Sequence, residues 1–291
     1  MTERKIGILH PGNMGVSIAA SAKASGNTIC WASEGRSDQT RERAEKAGLV
    51  DAGTLDAICE TCSVILSVCP PHVAEDLAIE VLEDGFRGIY LDANAISPER
   101  TGQIGQRVSD NGATFVDGGI IGGPAWEPGR TWLYLSGPGS AAAEIASCFT
   151  GGPLETAVIG ETIGKASALK MCYAAYTKGT SALLSAILAT AEALGVREDL
   201  ETQWSRGGSD FADRTRERVQ RVTAKAWRFV GEMDEIAATF RSAGLPGEFH
   251  EAAAEIYRRM EGLEKSSTVP PLDQVLSALL EDDERGALPR G

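Results

Sequence analysis

The chain has 291 residues, 43% hydrophobic and 24% charged, which fits a folded protein of one large or two ordinary domains and excludes a disordered or fibrous one. Its 41 acidic and 28 basic side chains leave a formal charge of −13, which argues against a nucleic-acid surface, because phosphate backbones are held by clustered Lys and Arg. Thirty-three glycines without a collagen-like period point to tight turns and to backbone passing close to a ligand.

In chain order, residues 5–9, 28–31, 63–69, 88–92 and 113–117 are predicted as buried strands, and 14–25, 37–47, 71–82 and 98–110 as helices between them. Strands alternating with helices of this length predict βαβ units and a doubly wound parallel sheet of Rossmann type. Further strands at 131–136 and 154–159 close this half. From Glu161 to about Leu194 the chain is rich in Ala, Leu and Ser with no proline, and it reads as one long interdomain helix. Helices follow at 209–230, 232–243, 248–263 and 272–280, and the residues from Glu281 read as a polar tail. The expectation is therefore α/β then all-α: a dinucleotide-binding domain over residues 1–160 and a helical substrate and dimerisation domain over 161–291.

The first strand runs into His10-Pro11-Gly12-Asn13-Met14-Gly15 and then a helix of small residues, the layout of a dinucleotide turn. Gly12 and Gly15 keep the second and third positions of G-x-G-x-x-G, and the free N–H groups at the helix start suit a pyrophosphate. The first glycine is replaced by His10, which stands before proline and is confined to extended backbone. At the end of the second strand, Glu34 would bind the ribose 2′-OH of NAD, whereas Arg36 with Ser33 and Ser37 would bind the 2′-phosphate of NADP. Glu34 beside Gly35 can turn to solvent, so the reading is NADP, with NAD as the alternative.

Cys59 and Cys62 have no second pair, and with three histidines in the whole chain no zinc set is completed, so no metal is expected. The six scattered cysteines read as reduced thiols of a cytoplasmic protein. No apolar run reaches the ~18–20 residues that span a bilayer. Pro11 and Gly12 interrupt any signal-peptide core. The long apolar helix predicts a homodimer through the helical half.

The Gly12–Gly15 turn, the strand end Val68-Cys69-Pro70-Pro71, the run Asp92-Ala93-Asn94-Ala95-Ile96-Ser97-Pro98, the stretch Asp117 to Gly123, and Gly160, Gly164 and Lys170 at their spacing resemble the β-hydroxyacid dehydrogenases, the family of 3-hydroxyisobutyrate and 6-phosphogluconate dehydrogenases. The stretch from about Glu192 to Gly262 resembles the helical domain of a branch related to phosphogluconate dehydrogenases. The resemblance implies an NAD(P)-dependent oxidoreductase acting on a small hydroxy or carbonyl substrate. Lys170 would be its general acid/base, with Cys69, Pro70 and Asn94 bordering the cofactor. Three positions depart from the family pattern. Ile121 stands where a carboxylate-binding Ser is common, leaving backbone N–H groups near Gly122 and Gly123 for an oxyanion. Ala174 replaces an Asn, with Tyr173 beside it as a substitute contact, and Glu232 falls where the family has a lysine. These losses count against a simple 3-hydroxy acid. They leave two alternatives, reduction of an imine or non-acid carbonyl on the same scaffold and a non-catalytic NADPH-binding protein.

Overall fold

A computed structural model of the chain describes residues 3–265 and 268–281. Contacts divide it into two compact units, Met1–Tyr173 and Ala174–Gly291. The expected tail, apart from Glu281, lies outside the described residues.

The first unit is built on strands β1 (Lys5–Ile8), β2 (Thr28–Trp31), β3 (Val50–Asp51), β4 (Val64–Ser67), β5 (Ile89–Asp92), β6 (Thr114–Gly122), β7 (Thr131–Ser136) and β8 (Glu155–Gly160). They form one sheet in the order β3-β2-β1-β4-β5-β6-β7-β8. Neighbours are parallel except β6 and β7, which are antiparallel. The strand order reverses at β1, where the chain first steps outward to β2 and β3 and then returns to β4. Such a reversal opens a crevice beyond the strand C-termini.

Alternation along the strands supplies cores on both sheet faces. Ile6, Ile8, Ile29, Trp31, Val64, Leu66 and Leu91 pack with Ile18 and Ala22 of helix Asn13–Ala24, whereas Cys30, Ile65 and Tyr90 pack with Ile58, Leu77, Val81 and Ile104 on the other side. Burial on both faces is why these strands read as continuous apolar runs. Each buried aliphatic side chain contributes about 1.5–3 kcal/mol.

Several elements differ from the sequence expectation. Strand β3 and the helices Leu55–Thr61 and Gly139–Ser147 were not anticipated. The first is an exposed two-residue edge, and the helices are too short or too rich in Ala and Ser to carry a periodic signal. Strand β6, expected to end at residue 117, extends through Gly122, because residues 117–122 pair with β7.

The long helix is not uniform. It runs as α-helix over Lys165–Ala174, as a π turn over Ala175–Gly179 and again as α-helix over Thr180–Ala193. A π turn takes carbonyls off the regular ladder. Here the Thr177 carbonyl accepts from Arg218 Nη2 at 2.6 Å and from Ser181 Oγ at 2.9 Å, and the Lys178 carbonyl accepts from Tyr257 OH at 2.7 Å. The units part at Tyr173/Ala174 and not near residue 160, because the start of this helix is bonded to the sheet, as described below.

The second unit continues with helices Arg197–Trp204, Phe211–Val222, Ala226–Ser242, Glu248–Arg258 and Leu272–Leu280. Its core holds Leu188, Val219, Met233, Ile236, Tyr257, Met260 and Val275. The expected break at Gly231 is absent. The chain breaks instead at a 3₁₀ turn, Thr223–Lys225. One glycine costs a helix about 1 kcal/mol, which the buried Met233 and Ile236 outweigh.

Candidate active site

The dinucleotide turn lies between β1 and helix Asn13–Ala24. Gly12 N–H closes the turn onto the His10 carbonyl at 2.8 Å, and Gly12 stands at the helix N-cap with no side-chain hydrogen bond there. A Cβ at Gly15 would collide with the His10 carbonyl oxygen, so only glycine lets the first helical turn pack against the strand end. A Cβ at Gly12 would meet nothing within 4 Å. The space beside Gly12, next to the uncapped N–H groups of Asn13, Met14 and Gly15, is a cradle that a side chain would fill and a pyrophosphate fits.

Three guanidinium groups gather beside this turn. Arg36 donates to His10 Nε2 at 2.8 Å and to the Leu9 carbonyl at 3.2 Å. Arg41 donates to the Ser33 carbonyl at 2.6 Å and the Arg36 carbonyl at 3.3 Å, and Arg43 donates to the Pro11 carbonyl at 3.1 Å. Among the described residues, buried Arg36 Nε has no hydrogen-bond partner. Ser33 is buried, and its carbonyl is what the cluster uses. The Ser37 hydroxyl caps helix Asp38–Lys46 by accepting from Thr40 N–H at 3.4 Å. A cavity of about 170 Å³ adjoins Arg36, with apolar walls from Leu9, Ala32, Leu55 and Leu77 and with Glu34 and Glu80 also lining it. Arg41 and Arg43 were missed in the sequence because charges on a short surface helix resemble a solvated face.

At the ends of β4 and β5, Asn94 is buried, and its side chain is a brace. Its Oδ1 accepts from Cys69 N–H at 2.6 Å, its Nδ2 donates to Ser67 Oγ at 3.0 Å, and its backbone N–H donates to Asp92 Oδ1 at 2.9 Å. The cap of helix Pro98–Asp110 is Ser97. Burial pushes the Cys69 thiol up to about 12, with Asp92 adding to the effect, so Cys69 is a neutral thiol. Pro70 leads into the 3₁₀ turn Pro71–Val73.

Lys170 is half-buried on helix Lys165–Ala174, which is anchored by Asp117 at the middle of β6. Asp117 Oδ2 accepts from the N–H groups of Gly164 (2.9 Å), Ala166 (2.9 Å) and Ser167 (3.1 Å) and from Ser136 Oγ (2.8 Å), while Oδ1 accepts from Ser167 Oγ at 2.6 Å. A carboxylate at a helix start both fills orphan donors and favours the dipole. Gly119 lets that helix lie directly on β6: a Cβ there would strike the Ala166 carbonyl and come within 3.2 Å of Lys170 Cβ. Residue type alone could not separate Lys165, Lys170 and Lys178. Lys165 is exposed and lies over Gly160; Lys178 pairs with Glu232 inside the helical unit. Lys170 is the one seated at the sheet's C-terminal edge.

Ile121 sits opposite Trp132, and Gly122 opposite Thr131, in the β6–β7 pairing. Thr131 Oγ1 donates to the Gly123 carbonyl at 2.7 Å. The turn beyond them is tied to the dinucleotide helix through Ala125 N–H and Ser17 Oγ at 2.8 Å. Tyr173 is 46% exposed, at the end of the first unit, and is not an interior packing residue. Glu232 belongs to the second unit and is ion-paired there with Lys178.

All six cysteines are free. Among the described residues no cluster of His, Cys, Asp and Glu could hold a metal, and no helix is long and apolar enough to cross a membrane.

Residues 5–153 match the NAD binding domain of 6-phosphogluconate dehydrogenase, and residues 191–260 match a domain of unknown function (DUF1932). The chain is 28% identical over 229 residues to an uncharacterized 28.5 kDa protein in the 7S RNA 5′ region of Methanothermus fervidus, covering 78% of this chain and 88% of that one. A solved structure of a conserved protein of unknown function, described as similar in structure to 3-hydroxyacid dehydrogenases, matches with a TM-score of 0.64 and 27% identity over 90% of this chain and 100% of that one. A 3-hydroxyisobutyrate dehydrogenase of Mycobacterium tuberculosis, solved with L-serine, matches with a TM-score of 0.71 and 16% identity over 96% of this chain and 100% of that one. The last likeness is one of fold.

Proposed function

We propose that this chain, which belongs to the β-hydroxyacid dehydrogenase superfamily of NAD(P)-dependent oxidoreductases, uses NADP to move hydride between the nicotinamide and a small hydroxy or carbonyl substrate. The observation that carries the choice of NADP is the gathering of Arg36, Arg41 and Arg43 at the ends of β1 and β2 in a chain of net charge −13. Planar guanidinium groups match a phosphate monoester, and a ribose hydroxyl needs none of them.

Gly12, Asn13, Met14 and Gly15 would hold the pyrophosphate, and the cavity walled by Leu9, Ala32, Leu55 and Leu77 suits the adenine ring. When bound, the dinucleotide supplies or accepts the hydride. The part assigned to the protein is proton movement and charge stabilisation. Reduction builds negative charge on the substrate oxygen, and the Lys170 ammonium stabilises that charge and delivers the proton; oxidation runs the same transfer in reverse. Asp117 and Gly119 fix where Lys170 stands. Ile121 offers no donor, which favours a neutral carbonyl or alcohol over a small acid. The exposed apolar Tyr176, Leu183, Trp227 and Phe249 of the helical unit support a homodimer, and the reduced thiols suit a cytoplasmic setting.

Titration of the purified protein with NADPH and NADH, followed by cofactor fluorescence, tests the cofactor. Steady-state assays across hydroxy acids, neutral carbonyls and cyclic imines test the chemistry. Lys170→Ala is expected to lower kcat by about 10²–10⁴ while retaining NADPH binding. Equal affinity for the two cofactors would remove the NADP assignment, and an unchanged kcat would remove Lys170.

A further inference from the structure

The replacement of the first motif glycine by His10 introduces a side chain where the ordinary turn has none. We infer that His10 is a specificity-determining residue: its imidazole accepts a hydrogen bond from Arg36 and holds that guanidinium in place to read a phosphate on the adenosine ribose. This rests on the NADP reading above and deepens it.

His10 lies two residues past the end of β1, and Arg36 lies in the loop after β2. The 2.8 Å bond between Arg36 Nη1 and His10 Nε2 ties together the loops that follow the neighbouring strands β1 and β2. Arginine donates only, so Nε2 is the acceptor and the ring is neutral with its proton on Nδ1. Burial, with the Arg36 charge beside it, holds His10 down to about 4, which keeps the acceptor intact at neutral pH. The second tether, from Nη2 to the Leu9 carbonyl at 3.2 Å, fixes the plane of the guanidinium. Two contacts on its terminal nitrogens leave the buried Nε without a partner among the described residues. An arginine held at two points loses little freedom when a phosphate arrives, whereas an untethered one must be ordered at that moment. Arg41, which donates to the Ser33 and Arg36 carbonyls, stiffens the same loop from its other side. Loss of the first glycine is therefore compatible with a dinucleotide turn that has taken on a second task.

The test uses the full chain and direct binding of NADPH and NADH, read by fluorescence and calorimetry without turnover. His10→Leu, which keeps bulk but has no acceptor, and His10→Gly, which restores the ordinary motif, are each expected to raise the ratio Kd(NADPH)/Kd(NADH) roughly 10-fold or more, the range for a lost charge-assisted hydrogen bond. His10→Gln places an amide oxygen at similar reach and should bring the ratio back to within about threefold of the parent, as expected for a restored acceptor. In an Arg36→Ala background, His10→Leu should add little, because the two residues act as a unit. If the parent binds NADPH and NADH equally, the NADP reading falls and this inference falls with it; if the parent prefers NADPH and Arg36→Ala leaves the ratio unchanged, only this inference is overturned. If Arg36→Ala changes the ratio and His10→Leu does not, only the role of His10 is overturned. A His10→Gln variant as impaired as His10→Leu would likewise overturn it, since the acceptor would then not be what matters. Circular dichroism on each variant separates a folding defect in His10→Gly from a binding one, and His10→Leu and His10→Gln decide the matter without it.

Discussion

Asp92 and Asp117 sit side by side in the β5–β6 pairing, both buried, and their surroundings differ sharply. Asp117 collects three N–H groups and two hydroxyls. Asp92 has one oxygen bonded to Asn94 N–H, while Oδ2 has no partner among the described residues. Burial pushes the Asp92 carboxyl from 3.8 up to about 7, against the pull of the Asn94 hydrogen bonds. The native state therefore prefers the protonated acid. Its contribution to stability is fully present below pH 3.8 and is lost as pH rises toward about 7, because there the unfolded chain ionises while the folded one resists. At about 1.4 kcal/mol per pKa unit, the loss is of the order of 2–4 kcal/mol. Asp92→Asn removes the titration, so its stability relative to the parent should climb between pH 4 and pH 8, measured as the shift in urea midpoint at each pH. A constant difference across that range would contradict the burial argument. At this scale the sequence was informative where one residue type settles a backbone requirement, as with Gly15, and it left Glu34 and Arg36 as alternatives at the ribose. It was silent on Asp117, whose five donors come from residues 136, 164, 166 and 167 and meet only once the fold exists.

The strand–turn–helix element was legible because its requirements are local: a buried strand, a glycine pair and a helix of small residues. The two glycines do different jobs, and this can be measured. Alanine at Gly15 would drive a methyl into the His10 carbonyl, so Gly15→Ala should lower stability by about 1–3 kcal/mol, as overpacking does, and weaken cofactor binding with it. Alanine at Gly12 meets nothing within 4 Å, and the residue's φ of −69° is ordinary for any amino acid. Gly12→Ala should therefore leave the Tm unchanged or raise it slightly, since alanine loses less chain entropy on folding. Its methyl would nonetheless fill the cradle beside the helix N-terminus and weaken NADPH binding at least tenfold, about 1.4 kcal/mol. Loss of binding and stability together in Gly12→Ala would mean that the open space is structural. The long helix was less legible. Its composition announces a helix from 161 to 194, but nothing local announces a π turn at Ala175–Gly179, because the groups that accommodate it, Arg218 and Tyr257, come from distant segments. For the same reason the helix at 226–242 runs through Gly231, where local propensity argued for a stop.

On the scale of the whole molecule, a chain of net charge −13 is set to bind a cofactor that is itself strongly negative. Two fields of opposite sign then act over different distances. The net charge repels from afar, whereas the group of Arg36, Arg41 and Arg43 attracts only at close range and is partly shielded from solvent. Screening separates them, because the Debye length falls from about 30 Å at 0.01 M salt to about 10 Å at 0.1 M. Raising salt over that interval removes the long-range repulsion first, so the association rate of NADPH in stopped-flow fluorescence should increase several-fold. The dissociation rate should move little there, since the arginine contacts lie within the screening length. Above about 0.1 M the attraction is screened in turn, and the dissociation rate should begin to rise. NADH carries no 2′-phosphate, so its association rate should respond less steeply to the same series. If the NADPH association rate instead falls from the lowest salt upward, the arginine cluster governs encounter as well as binding, and the acidic remainder of the surface is too remote from the crevice to matter.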